Sequence, residues 1–193
     1  MARIGAEERR QDFIEATIKV IAEHGIANAT TRRIAAAADS PLASLHYVFH
    51  TKEDLFYAVY ESLINLPQQS LQQAPAGATP AETVGEMLRQ LVKWFIAHPE
   101  RAITQFELFF WNLRNDPEMA AKIYAVSIEA TQQAIQKATG DALDHIAVAT
   151  VSRLLLNLFD GLLLSWTAHG NPDRLEAETE TACQAVELLV ASY

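Results

Sequence analysis

The sequence has few of the features that mark secreted or membrane proteins. Its single cysteine, Cys183, cannot form a disulfide within the chain, and the chain does not open on a charged and then apolar leader. Both features predict a reducing, cytoplasmic environment. The one long apolar stretch, 146–166, is interrupted by Arg153, Asn157 and Asp160, which argues against a membrane span and a membrane partner.

Patterns that support catalysis are also missing. The sequence has no nucleophile-elbow motif and no glycine loop of the kind that binds phosphate. Six histidines, at positions 24, 46, 50, 98, 145 and 169, lack the paired spacing of metal ligands. We therefore predict a protein that is not an enzyme, with no catalytic residue, no metal and no cofactor.

Strand signals are almost absent, whereas helix signals recur along the whole chain. The 193 residues are 50% hydrophobic and 20% charged, enough to bury one good core divided between a small and a larger domain. Five of the seven prolines stand where a helix can begin, at positions 41, 80, 99, 117 and 172. The pattern predicts an all-α protein of about nine helices.

Local signals predict where several of these helices begin and end. Thr79 and Glu82 have the spacing of a capping box. Gly140-Asp141 indicates the end of one helix and the cap of the next. Between positions 67 and 80 no apolar period is sustained, so we expect the fourth helix to end or kink near Pro67 before a mobile loop.

Two short helices joined by a tight turn are predicted between Thr30 and Phe49. Thr30 can cap the first helix, whose apolar positions Ile34, Ala35 and Ala38 point inward. The stretch 39–41, Asp-Ser-Pro, then ends it and begins another, with Ser40 as the predicted N-cap.

The second of these helices has one inward and one outward face. Leu42, Leu45 and Phe49 lie three and four positions apart on the inward face. We expect Leu45 and Phe49 to fix the helix on Phe13, Val20 and Ile34. The outward side chains are Ser44, His46, Tyr47 and His50, which is the layout of a helix-turn-helix DNA-binding element.

The net charge of -9 is distributed unevenly. Residues 1–55 carry seven basic and eight acidic side chains, so most of the acidity belongs to the rest of the chain. The predicted DNA-binding element contains the basic residues Arg32, Arg33 and Lys52, and Asp39 is its only acidic residue before Glu53. This is a local positive patch, which predicts modest affinity for non-specific DNA.

The same segment resembles the DNA-binding domain of the tetracycline-repressor (TetR) family of bacterial transcription regulators. The landmarks are a first helix over 13–25 that closes at Gly25, the Thr30 start, and Lys52-Glu53 through Leu55. Four positions depart from the usual family pattern. These are Asp39 where the family usually has Gly, Ala43 where Gly is frequent, His46 in place of Tyr, and Val48 in place of His.

The resemblance implies a three-helix DNA-binding domain over 1–50, followed by a larger helical ligand-binding and dimerisation domain over 51–193. The helix from 51 to about 66 would connect the two. The expected partners are an operator duplex, a second copy of the chain and a largely apolar small-molecule effector. Candidate DNA contacts are Thr30, Thr31, Arg32, Ser44, His46, Tyr47, His50 and Lys52.

The last two helices carry a pattern that predicts assembly. The helix expected over 141–169 is apolar on several sides, more than one chain can easily cover. The last helix has apolar residues at heptad-like spacing, as in helix packing. Packing within one chain is the alternative to a four-helix dimer interface. The predicted interface residues are Leu155, Leu162, Leu175, Thr179, Ala182, Val186 and Leu189.

Aromatic side chains concentrate in the middle of the chain and are mixed with polar ones. Such an inventory can line a ligand pocket, although each aromatic can equally belong to the core. The candidates are Trp94, His98, Phe106, Phe109, Phe110, Tyr124, Asn157 and Trp166. Arg153, Asn157 and Asp160 share one helix face, where they could orient a ligand or form a polar network at the dimer interface.

Two functions remain open from the sequence. In the first, a dimeric repressor holds two recognition helices in successive major grooves until a small molecule favours another spacing. In the second, a helical protein binds small molecules or other partners and has lost useful affinity for DNA. Asp39, His46 and the nearly neutral amino-terminal segment motivate the second hypothesis.

Overall fold

The computed structural model describes residues 5–70 and 78–193, and for 65–70 it describes the backbone alone. Within these ranges the chain forms nine α-helices and no β-strand, which confirms the all-α prediction. The helices are α1 Ala6–His24, α2 Thr31–Ala37, α3 Leu42–Val48, α4 Lys52–Ser70, α5 Pro80–Ala97, α6 Pro99–Asn115, α7 Pro117–Thr139, α8 His145–His169 and α9 Pro172–Val190. Short 3₁₀ turns occupy Ile26–Asn28 and Gly140–Ala142.

The chain packs as two compact units. The first contains the residues up to Asn65 together with Pro99–Ala121, and the second contains Leu66–His98 and Lys122–Tyr193. The first unit therefore includes α6 in addition to the predicted DNA-binding segment. The two packing units are not continuous in sequence, so they do not correspond to the predicted functional domains 1–50 and 51–193. The functional division at residue 50 stays a prediction.

The core of the first unit joins α1, α2, α3 and the start of α4. Phe13, Ile34 and Leu45 are buried in one cluster that also contains Phe49 and Val20, as the sequence predicted. Burial of side chains of this size contributes roughly 1.5–3 kcal/mol each. Helix α3, only two turns long, is therefore held by its inward face rather than by its own helix propensity.

Two residues with positive φ make the turns of this unit. Gly25, with φ 74°, ends α1, and Asp39, with φ 47°, makes the turn between α2 and α3. Asp adopts left-handed geometry more readily than most residues, so this departure from the family's usual Gly keeps the turn. Thr30 caps α2 by accepting from the Arg33 amide at 3.3 Å, as predicted.

Two predicted boundaries were wrong in detail. The N-cap of α3 is Pro41 rather than Ser40, and no side chain caps that helix. The N-cap of α8 is Asp144, whose carboxylate accepts from two backbone amides, so α8 begins at His145 and not near Asp141. The 3₁₀ turn Gly140–Ala142 lies between α7 and α8, so α8 begins later than predicted.

The start and the end of α4 are both set locally. Thr51 and Asp54 cap its start reciprocally, each side chain accepting from the other residue's amide at 3.0 Å. The helix continues through Pro67 to Ser70, beyond the predicted end. The predicted loop falls on 71–77, which lie outside the described residues.

The second unit packs α5, α8 and α9 against one another. Its α5 begins with the predicted capping box between Thr79 and Glu82. Phe95 of α5 lies 5.1 Å from Phe159 of α8, measured between ring centroids. Arg89 of α5 donates to Glu180 of α9 at 2.9 Å, so a charged contact supplements the apolar packing between these helices.

Candidate functional site

The outward face of α3 carries the side chains that the sequence assigned to DNA. On this face Tyr47 is 82% exposed, His46 is exposed and Ser44 is half-buried. His50 lies two residues after the end of α3 and is also exposed. On the opposite face Leu45 is buried, with 1% of its surface accessible. The helix therefore presents phenol, imidazole and hydroxyl groups to solvent without losing its core contacts.

The starts of α2 and α4 supply further polar groups of the same unit. Thr30 and Arg32 are exposed, and Thr31 is half-buried in the first turn of α2. Lys52, at the start of α4, places its ammonium 4.8 Å from the Phe56 ring centroid. Partial burial lowers the pKa of Lys52. A phosphate beside it would oppose this shift, because an anion favours the charged form of the ammonium.

One cation near the recognition helix was not found from the sequence. Arg10 of α1 stacks over the ring of Phe49, 5.6 Å from its centroid. The cation–π contact ties the start of α1 to the end of α3. No local pattern identifies such a pair, because the two residues are 39 positions apart.

Within the first unit, three polar contacts that the sequence did not predict attach α6 to α1 and to the turn after α1. The Ile26 amide donates to Glu107 at 3.1 Å, and the Thr104 hydroxyl donates to the Ile18 carbonyl at 3.2 Å. Arg101 forms an ion pair with Glu15 at 2.7 Å. These contacts hold α6 on α1 and on the turn that follows α1.

The predicted ligand-binding aromatics are divided between the two units. Phe106, Phe109 and Phe110 belong to α6 in the first unit, and Phe110 is 52% exposed. The remaining candidates are in the second unit, where Trp94 stacks on His98 at 4.5 Å between ring centroids. His98 also donates from Nδ1 to the Trp94 carbonyl at 2.7 Å. Trp166 is half-buried on α8.

A polar cluster connects α7 and α8 in the second unit. Tyr124 of α7 donates its hydroxyl to Oδ1 of Asn157 at 2.8 Å. Asp160, one turn further along α8, is half-buried, and burial raises its pKa to about 6. Burial and the charge of Asp160 together raise the pKa of Tyr124. Arg153, which the sequence placed on the same face, is exposed.

Most of the residues predicted for the dimer interface are buried within one chain. Leu175 and Val186 of α9 are at most 2% exposed, and the same holds for Leu155 of α8. Thr179, Ala182 and Leu162 have 6–7% of their surface accessible, and only Leu189 is half-buried. The heptad-like spacing thus marks the face that α9 packs inside its own chain, as in the alternative of packing within one chain. The assignment of these positions to a dimer interface stays a prediction.

A groove between α8 and α9 lies on the outer side of that packing. Its exposed members include Gly161, Ala177 and Thr181, and a Cβ added at Gly161 would meet nothing within 4 Å. Beyond the groove Leu164 is 50% and Leu188 75% exposed. The lining residues are Asn157, Leu158, Gly161, Leu162, Ala177, Glu178, Thr181, Ala182 and Ala185.

Across the described ranges, no three His, Cys, Asp or Glu side chains come together as a metal site. One described helix, α8, has the length and apolar composition that a membrane span needs, but half of its apolar stretch is buried in the chain. Core helices of globular proteins share this composition.

Comparison with known proteins places the amino-terminal segment in a recognised class. Residues 13–59 match the family described as bacterial regulatory proteins, tetR family. The nicotine-responsive transcriptional repressor HdnoR of Paenarthrobacter nicotinovorans is 27% identical over 89% of this chain and 90% of the relative. The transcriptional repressor AcnR of Corynebacterium diphtheriae is also 27% identical, over 87% of this chain and 86% of its own.

Solved structures extend the likeness over nearly the whole fold. The multidrug binding protein EbrR in complex with ethidium has a TM-score of 0.69 and 29% identity, covering 92% of this chain and 97% of that one. A TetR family member from Streptomyces coelicolor has a TM-score of 0.72 and 28% identity, with the same coverage. The match therefore includes the second unit as well as the amino-terminal helices.

Proposed function

We propose that the chain is a transcriptional regulator of the tetR family that represses its target genes as a homodimer bound to a palindromic operator. A small-molecule effector would release it. The observation that carries this function is the exposed polar face of α3, held by a buried apolar face and flanked by Thr30, Arg32 and Lys52. A regulator of transcription acts on the chromosome, so we expect the protein in the bacterial cytoplasm.

The side chains of the first unit divide into two kinds of DNA contact. Tyr47 and Ser44 stand on the outward face of α3, where they can meet base edges in the major groove. Thr30, Thr31, Arg32 and Lys52 lie at helix starts, where side chain and backbone amides together bind phosphate. His46 and His50 are exposed and can add further phosphate contacts.

We assign the dimer interface to the α8–α9 groove, whose lining includes Leu162 and Ala182 of the predicted interface. Small residues at Gly161, Ala177 and Thr181 allow the backbone of a second chain to approach closely, and Leu164 and Leu188 offer apolar surface beside them. A twofold axis would place two α8–α9 pairs together as four helices. The two recognition helices would then read half-sites about 34–36 Å apart.

The effector is proposed to be a small organic molecule with a largely apolar frame. Aromatic side chains of the second unit, including Trp94, Tyr124 and Trp166, are half-buried rather than wholly enclosed in the core, so each retains surface for a ligand. Two relatives support an effector of this size: HdnoR is described as nicotine-responsive, and EbrR has been solved with ethidium.

Effector binding must change the affinity for DNA through a difference between two arrangements of the chain. We propose that α6 carries this change. Its contacts at Arg101, Thr104 and Glu107 fix it to α1 and to the turn after α1, so that a displaced α6 would shift the helix-turn-helix element.

A mobility-shift titration at low salt tests the function. Purified full-length chain is mixed with a pool of operator-length duplexes, and the retained DNA is challenged with unselected competitor. We expect a retained fraction that resists the competitor and is lost when Tyr47 is replaced by Ala. Retention that competitor removes completely, or no retention at all, would favour a helical ligand-binding protein without operator affinity.

A further inference from the structure

The Asp160 cluster, made of Asp160, Asn157 and Tyr124, carries a negative charge that the proposed function has not yet used. Asp160 is half-buried on α8, directly after Phe159, whose ring packs on Phe95 of the core. Tyr124 of α7 reaches the same part of α8 through its hydrogen bond to Asn157. The charge of Asp160 acts on the Tyr124 hydroxyl, so the carboxylate and the phenol belong to one cluster.

No ion pair or hydrogen bond to Asp160 comes from the residues that the structure describes. The described ion pairs of the second unit join Arg89 to Glu86 and Glu180, and join Arg174 and His169 to Glu178. Arg153 is seven positions earlier on α8, about 10 Å along the axis, and is exposed. Lys122 is two positions before Tyr124 and so points to another side of α7.

We propose that the effector is an organic cation, an amine or nitrogen heterocycle that is protonated at neutral pH, and that the Asp160 carboxylate is its counter-ion. This inference deepens the proposed function and rests on it. A cation beside a partly desolvated carboxylate gains more Coulomb energy than it would in water, whereas a neutral ligand would leave the buried charge uncompensated. The Tyr124 ring can contact the same cation through its face.

The titration of Asp160 agrees with this role. Burial raises its pKa to about 6, which is the direction expected for a carboxylate that lacks a nearby cation. Near pH 7 most of the population is still ionised and can bind a cation. Tyr124 is the titratable neighbour, and its own pKa is raised, so the phenol stays neutral in this range.

Two dyes with the same three-ring frame separate charge from shape. Proflavin is protonated near neutral pH, and acridine is neutral there, so their affinities are compared by fluorescence titration of the full chain at pH 7.5. We expect the wild type to bind proflavin at least about tenfold more tightly than acridine. The Asp160→Asn variant should lose most of that preference. The matched control is Glu129→Gln, which removes an exposed carboxylate from α7 and should keep the preference.

A second measurement needs no variant. The affinity of the wild type for proflavin should fall when the pH is lowered from 7.5 to 5, because Asp160 becomes protonated. Equal affinity for the two dyes, a preference that survives in Asp160→Asn, or no binding of either dye would each overturn the counter-ion. A wild type that still retains specific duplex while binding neither dye would lose this proposal and keep its function as a regulator.

Discussion

Glu107 accepts a hydrogen bond from the backbone amide of Ile26 at 3.1 Å, across 81 positions of sequence. Ile26 begins the 3₁₀ turn between α1 and α2, and this amide has no partner within its own turn. A side chain of α6 thus completes the hydrogen bonding of the loop that leads into the helix-turn-helix element. This contact joins α6 directly to the turn that precedes α2.

We expect Glu107→Ala to destabilise the chain by about 1 kcal/mol, because the Ile26 amide loses a charged acceptor. Thermal unfolding should show a decrease in Tm of about 2–4 °C. Glu107→Gln is the matched control, since its amide oxygen can still accept and most of the stability should return. Equal Tm values for the two variants would mean that the contact does not stabilise the loop.

Replacing Lys52 tests a phosphate contact at the start of α4. Lys52→Ala should weaken binding to all duplexes similarly and lower the salt-dependence slope by about one unit, since one fewer counterion is released. Binding is titrated across a series of salt concentrations. Lys93→Ala, an exposed change on α5, is the control and should leave the slope as it is. A slope that Lys52→Ala does not change would remove this residue from the contacts.

Tyr47 is expected to contribute sequence preference. Because the side chain is 82% exposed, Tyr47→Ala should leave the fold intact, and its effect can be assigned to binding. We expect a loss of about 1–3 kcal/mol on the selected duplex and a smaller loss on random DNA. The two affinities are measured side by side under one salt condition. Losses of the same size would assign Tyr47 to the backbone and not to the bases.

A substitution that introduces a bulky charged side chain into the α8–α9 groove tests its proposed role as the dimer interface. Thr181→Arg places a guanidinium where the proposed second chain must approach, so it should convert the dimer to a monomer. Size-exclusion chromatography with light scattering gives the mass directly. Gln133→Arg introduces the same charge on an exposed position of α7 and should not change the mass. A Thr181→Arg variant that keeps the dimer mass would place the interface elsewhere.

The raised pKa of Asp160 predicts a pH-dependent stability. Because burial favours the protonated form of Asp160 in the folded chain, the wild type has its full stability below about pH 4. Part of this stability is lost as the pH rises through about 6, whereas Asp160→Asn, which has no charge to bury, should not show that loss. Unfolding is followed for both proteins between pH 4 and pH 7.5. The difference in favour of Asp160→Asn should grow with pH, to on the order of 2 kcal/mol. A constant difference would show that Asp160 is not desolvated.

The helices of this chain could be predicted because their signals are local. Thr30, Gly25 and the capping box at Thr79 each act within four residues, and all three are found as expected. The capping pair of Thr51 and Asp54 has the same kind of signal and could have been recognised. The prediction of Ser40 as the N-cap of α3 was wrong because Pro41 can occupy the N-cap position of a short helix as well as its first turn.

The face that α9 turns inward could not be predicted, since spacing alone does not tell which chain covers an apolar stripe. Leu175 and Val186 have the spacing of a coiled coil, but α5 and α8 of the same chain bury them. The contact of Glu107 with Ile26 was equally hidden, because it joins residues far apart in sequence. The candidate DNA contacts stay predictions, as exposure is necessary for binding but does not demonstrate it.

Selection of binding sites from a random duplex pool tests the central claim most directly. The purified chain is cycled against the pool, and the enriched sequences are read. A dimer with two recognition helices predicts an inverted repeat whose half-site centres lie about 10–10.5 base pairs, or one helical turn, apart. Enrichment of a single unrepeated site, or a pool that stays random after repeated cycles, would contradict the account.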